Sequence, residues 1–159
     1  MITDTFGSLI EELGNLLKMK LTPGPKNSCA FRLRDQMMVY IEPDKLGERL
    51  TILIDITPVP PGKYGENIMR EALKANGLPP PRGGIFAYGA KKDALLLFDQ
   101  TPMDELNAPR LLELTNSLIQ KARVWKTAID RGETPSYQSM ESTYGTKSSS
   151  GRGKGLFGL

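Results

Sequence analysis

The chain has 159 residues, 39% of them hydrophobic and 25% charged, a balance that fits one globular domain with a buried core and excludes disorder throughout. It carries no histidine and a single cysteine, Cys29, which excludes Ser-His-Asp and Cys-His catalysis, histidine-containing metal sites, thiolate zinc sites and an internal disulfide framework. The formal charge is only +3, and residues 1–131 hold 18 of the 21 Lys and Arg and 16 of the 18 Asp and Glu, so the distribution argues against a phosphate-binding surface.

The opening segment MITDTFGSLIEE carries Asp4, Glu11 and Glu12 without a basic leader, and no stretch approaches the roughly 20 apolar residues of a membrane helix. The expectation is a cytoplasmic protein that neither enters a secretory route nor inserts into a membrane. Phe6, Leu9, Ile10, Leu13, Leu16 and Leu17 recur at helical spacing, which predicts a helix from about Thr5 to Lys18, with Ser8 and Glu11 available as a capping box. Pro23, Gly24 and Pro25 end it.

From Cys29 onward the period becomes two. Cys29, Phe31 and Leu33 alternate with Ala30, Arg32 and Arg34, and a tight turn at Arg34, Asp35 and Gln36 leads into a strand from Met37 to Glu42. A third strand carries Leu50, Ile52, Ile54 and Ile56 on one face, so the short connections predict an antiparallel meander. After Pro58, Pro60, Pro61 and Gly62, a short helix from about Tyr64 to Asn76 sets Tyr64, Ile68, Ala72 and Ala75 on a narrow side that suits either another helix or its own sheet. Gly77 stops it.

The segments Gly84–Tyr88 and Ala94–Phe98 read as a hairpin, and the unbroken run Ala94, Leu95, Leu96, Leu97, Phe98 predicts a strand covered on both faces. Thr101 and Asp104 bracket Pro102 at an expected helix start, and Leu111, Leu114, Leu118, Ala122, Trp125 and Ile129 share one face of a helix reaching about Arg131. The fold class is therefore α+β, an antiparallel sheet with helices in the order α-β-β-β-α-β-β-α. Residues 1–132 form a single domain, and 133–159, rich in Gly and Ser and ending in GRGKGLFGL, form a flexible tail.

The sequence holds few candidate reactive groups. Glu11 with Glu12, and Lys91 with Lys92, are adjacent in sequence and cannot converge on one atom from a helix or strand. Gly151, Gly153, Lys154 and Gly155 follow a serine run rather than a strand, so they are not a phosphate loop. Cys29 occupies an alternating strand position and reads as an inert packed thiol. Asp55 is the one carboxylate within an otherwise apolar strand, on the face of Thr51 and Thr57, which a half-exposed sheet face explains. Phe31, Arg32, Arg34 and Tyr40 are a weak echo of an RNA-binding sheet, but the element order is wrong for that fold. No enzyme, cofactor, metal site or nucleic-acid partner is expected.

The element order, the opening SLIEELGNLL, the meander beginning CAFRLRD, the block GGIFAYGAKKDALLLFDQTPMDELN and the final KARVWKT followed by RGETP resemble the class I chaperones of type III secretion, the CesT or Tir-chaperone group, over residues 5–135. That resemblance implies a homodimer in the bacterial cytoplasm that binds the N-terminal segment of secreted effectors. It would keep them soluble and secretion-competent without ATP hydrolysis, and present them to the secretion machinery. By analogy it places effector binding at Leu9, Leu13, Phe31, Leu33 and Met38, and the dimer interface at Ile68, Ala72, Ile85 and Tyr88. The chain is slightly basic where the family is commonly acidic. Three other readings remain open: an adaptor of the same fold with a non-effector client, a small enzyme with a polar pocket at Asp55, and nucleic-acid binding through the basic tail.

Overall fold

The computed structural model describes residues 5–79 and 83–137. Helix α1 (Thr5–Leu17) is followed by a short 3-10 turn, strands β1 (Cys29–Arg32), β2 (Met38–Pro43) and β3 (Arg49–Pro58), helix α2 (Gly62–Asn76), strands β4 (Ile85–Gly89) and β5 (Ala94–Pro102), a second 3-10 turn and helix α3 (Ala108–Asp130). The strands form one antiparallel sheet in the order β1-β2-β3-β5-β4. The expected fold class is present element by element.

Alternation decides which residues meet the helices. Leu50, Ile52, Ile54 and Ile56 of β3, Val39 and Ile41 of β2, and Leu95 and Leu97 of β5 are all 3% exposed or less, and they form one face of the sheet. Against them lie Ile10 and Leu13 of α1 and Leu111, Leu118, Ala122 and Trp125 of α3, likewise enclosed. Ser8 and Glu11 fall inside α1 because the helix already begins at Thr5. Helix α2 packs its stripe of Ile68, Ala72 and Ala75 into this same core, which answers the question the sequence left open about that narrow side. The Tyr64 hydroxyl lies 2.7 Å from the Glu133 carbonyl and 3.2 Å from that of Ile129, tying α2 to the end of α3.

Three expectations are corrected. The hydrophobic run of β5 is not covered equally on both faces: Leu95 and Leu97 are buried under the helices, whereas Leu96 and Phe98 on the other face are half-buried. Next, β5 continues through Pro102, because the long β3 supplies partners as far as Arg49. Helix α3 therefore starts later than Pro102, at Ala108, where the Asn107 side chain accepts the Arg110 N–H at 2.8 Å. Finally, packing extends past residue 132. Pro135 is buried, and the Tyr137 N–H donates to Glu71 of α2 at 3.2 Å. The remainder of the expected tail, residues 138–159, lies outside the described residues.

One close approach depends on glycine. Gly84 holds φ +105° just before β4, and a Cβ there would sit 2.6 Å from Leu118 of α3, so only glycine admits the helix this near the strand.

Lys121 is 8% exposed on α3. Its ammonium lies 5.1 Å from the centre of the Phe86 ring, and Phe86 in turn sits 4.2 Å from Trp125, centre to centre. Burial lowers the Lys121 pKa to about 8, opposed by the charge of Asp99. A lysine whose folded pKa lies below the unfolded 10.5 makes the folded chain shed its proton first. Stability should therefore rise between pH 8 and 10.5, by up to about 3 kcal/mol. Urea unfolding of the wild type and of Lys121→Met across this window checks it. The variant is expected to lose the slope, and an equal slope in both would contradict the assignment.

Candidate functional site

The sheet face turned away from α1 and α3 carries a different residue set. Pairing places Ala30, Tyr40, Leu53, Phe98 and Ile85 in one row across all five strands, and Arg32, Met38, Asp55, Leu96 and Ala87 in the next. Tyr40, Leu53, Phe98, Met38 and Leu96 are half-buried, and Ile85 is 39% exposed. Four interstrand steps of about 4.8 Å give this apolar band a span of roughly 19 Å. Polar residues border it: Glu42 and Thr51 beside Tyr40 and Leu53, and Asp55, whose carboxylate is 3.9 Å from the Lys92 ammonium.

A second exposed apolar zone lies where α2 flanks β4. Tyr88 is 50% exposed and Leu73 67% exposed. Met69 and Tyr88 line one open groove, and Leu73 lies one turn beyond Met69 on the same stripe of α2. On α1, Leu16 and Met19 just beyond its end are also exposed.

The residues named from sequence separate on this frame. Leu9, Leu13 and Phe31 are core, at 7%, 0% and 6% exposure, and face the helix side of the sheet. Leu33 is half-buried at the β1–β2 turn and Met38 half-buried on the open face, so these two of the five present surface. Ile68 and Ala72 are enclosed beneath α2, while Ile85 and Tyr88 are exposed on the edge strand. Sequence reasoning missed Tyr40, Leu53, Leu96, Phe98, Met69 and Leu73. A signal did exist for one: Leu53 is the apolar residue in the otherwise polar series Thr51, Asp55, Thr57.

Asp55 borders an open groove of about 260 Å³, with Met38, Thr57 and Lys92 among its walls. Cys29 is buried, and desolvation raises its pKa, which disfavours the reactive thiolate. Among the described residues no three His, Cys, Asp or Glu side chains are grouped to hold a metal, and no helix is long and apolar enough to cross a membrane. What the site offers is therefore apolar area and a few bordering charges rather than catalytic groups.

A family model for the Tir chaperone protein (CesT) family matches residues 8–126. No curated protein matches in sequence. Among solved structures, the fold is similar to a chain of the HopA1–SchA chaperone–effector complex, with TM-score 0.62 at 18% identity over 78% of this chain and 94% of that one. It is similar also to the Yersinia pestis type III secretion chaperone SycH in complex with a stable fragment of YscM2, with TM-score 0.60, 21% identity, and coverage of 74% and 96%. A chain of the ExsC–ExsE complex gives TM-score 0.63, 14% identity, and coverage of 79% and 94%.

Proposed function

The chain belongs to the Tir chaperone protein (CesT) family, and from that membership we propose that it is a homodimeric type III secretion chaperone that holds the N-terminal segment of a secreted effector in the bacterial cytoplasm, without hydrolysing ATP. The observation that carries this reading is the apolar band of Tyr40, Leu53, Phe98 and Ile85 left open across the sheet. A monomeric soluble domain gains nothing from such a band, whereas a client segment that must stay unfolded needs apolar area to cover its own apolar side chains. Similarity in fold to a chain of a chaperone–effector complex, and to a type III secretion chaperone bound to a protein fragment, supports the same reading.

In this proposal the client surface comprises Leu33 and Met38 with Tyr40, Leu53, Leu96 and Phe98. Leu9, Leu13 and Phe31 serve it from beneath, by seating α1 against the opposite face of the sheet. The dimer seam comprises Ile85, Tyr88, Met69 and Leu73, with Ile68 and Ala72 as the packed floor under α2. Both surfaces fall within one domain, whose packing runs on through Tyr137. Release of the client to the secretion machinery would need no nucleotide, because binding by buried area is reversible by competition.

Co-expression with N-terminal segments of candidate secreted proteins tests the proposal. One such segment is expected to stay soluble and to co-purify with the chain, equally in the presence and absence of ATP. Segments that all precipitate alone and in company, or a complex that ATP dissociates, would overturn it.

A further inference from the structure

An edge strand exposes a row of backbone donors and acceptors that invites another strand, and this sheet has two edges, β1 and β4. They are not equivalent. Helix α2 ends at Asn76, directly before Gly77, and from there the Asn76 side chain reaches β4. Its carboxamide donates to the Phe86 carbonyl at 2.9 Å, and its oxygen accepts the Phe86 N–H at 2.8 Å. In an antiparallel pair the two backbone groups of one residue point the same way, so these are the outward groups of Phe86, the second residue of β4. Asn76 thus occupies the position that a strand from a second molecule would take. Tyr88 alone remains beyond it, too little for a ladder.

The β1 edge differs. The Leu33 N–H bonds to Met37 on the β2 side, so alternation turns Ala30 and Arg32 outward. Among the described residues, the Ser28 carbonyl at the start of that edge is the one outward group taken, by the Gly24 N–H at 2.6 Å.

We infer that Asn76 is an edge lock: it keeps a second copy of this chain from joining its sheet to β4, so that copies meet there through side chains, and it leaves β1 as the edge open to strand addition. The occupant excluded is a second copy because β4 carries the exposed Ile85 and Tyr88 beside exposed Leu73, where apolar contact would bring two β4 strands together. The lock does not depend on the identity of any client.

Amide hydrogen exchange on the full chain, as a function of protein concentration, tests it in Asn76→Ala. Asn76→Leu is the second variant, which keeps the bulk and helix propensity should alanine impair folding. In the wild type the Phe86 amide is expected to be protected at every concentration and the Tyr88 amide to exchange. In the variants the Phe86 amide should exchange at least 10-fold faster in dilute solution, and both amides should become protected as a second copy adds its strand at higher concentration; protection of both at all concentrations would equally show strand addition. Phe86 still protected with Tyr88 still exchanging would show that something other than Asn76 closes the edge. Both amides exchanging at every concentration would show that the open edge recruits no strand. Either result overturns the inference.

Discussion

Replacing Trp125 with alanine is expected to destabilise the fold by about 3–5 kcal/mol, the usual cost of deleting a fully buried large aromatic. Trp125 is 0% exposed and packs on Phe86 at 4.2 Å between ring centres, so its removal opens a cavity where α3 meets the strands β4 and β5. Since domains of this size hold only about 5–15 kcal/mol in total, the variant should approach unfolding at physiological temperature. Chemical denaturation of the variant beside Trp125→Phe measures it. The phenylalanine variant is expected to recover part of the loss by restoring a ring against Phe86. A loss below about 1 kcal/mol for alanine would mean that α3 is not seated on the sheet as described.

The second large effect concerns binding. Leu53→Arg and Phe98→Arg place cations in the middle of the open band, on residues that are half-buried rather than enclosed. The fold should survive, because a long arginine side chain on that face can lift its head into water. Client capture should fall at least 10-fold for each and vanish for the pair, since a charge in the centre of a desolvated contact leaves no partner for itself. Leu13→Arg is the contrast. At 0% exposure it should unfold the chain instead of selectively removing capture. Quantifying retained client by co-purification, with circular dichroism on each variant, separates the two outcomes. Full capture by the double variant would remove this face from the client surface.

These contrasts explain what the sequence made legible. Alternation in β1 to β3, the helical period of α1 and α3, and the proline and glycine breaks are local signals, so element order could be read directly. The start of α3 was misplaced because the pairing of Arg49 with Pro102, which extends β5, is a contact between residues far apart in sequence. Leu9, Leu13 and Phe31 were singled out because apolar residues on an amphipathic face look the same whether they meet a partner or the chain's own core. Only the layer arrangement distinguishes them. The open band was invisible for a related reason. Tyr40, Leu53, Phe98 and Ile85 come from four strands, and nothing but the register of β2 with β3, β3 with β5 and β5 with β4 brings them into one row. The Asn76 bond to Phe86 spans only ten residues, yet a polar residue at a helix end ordinarily reads as a cap, and the strand edge it closes exists only after β4 and β5 have paired.

The most direct measurement is light scattering on the purified full chain, alone and then with the effector segment that co-purifies with it. The account predicts a dimer of about twice 17.5 kDa whose mass rises by the client segment it holds. A monomer that gains no mass with any segment would contradict it.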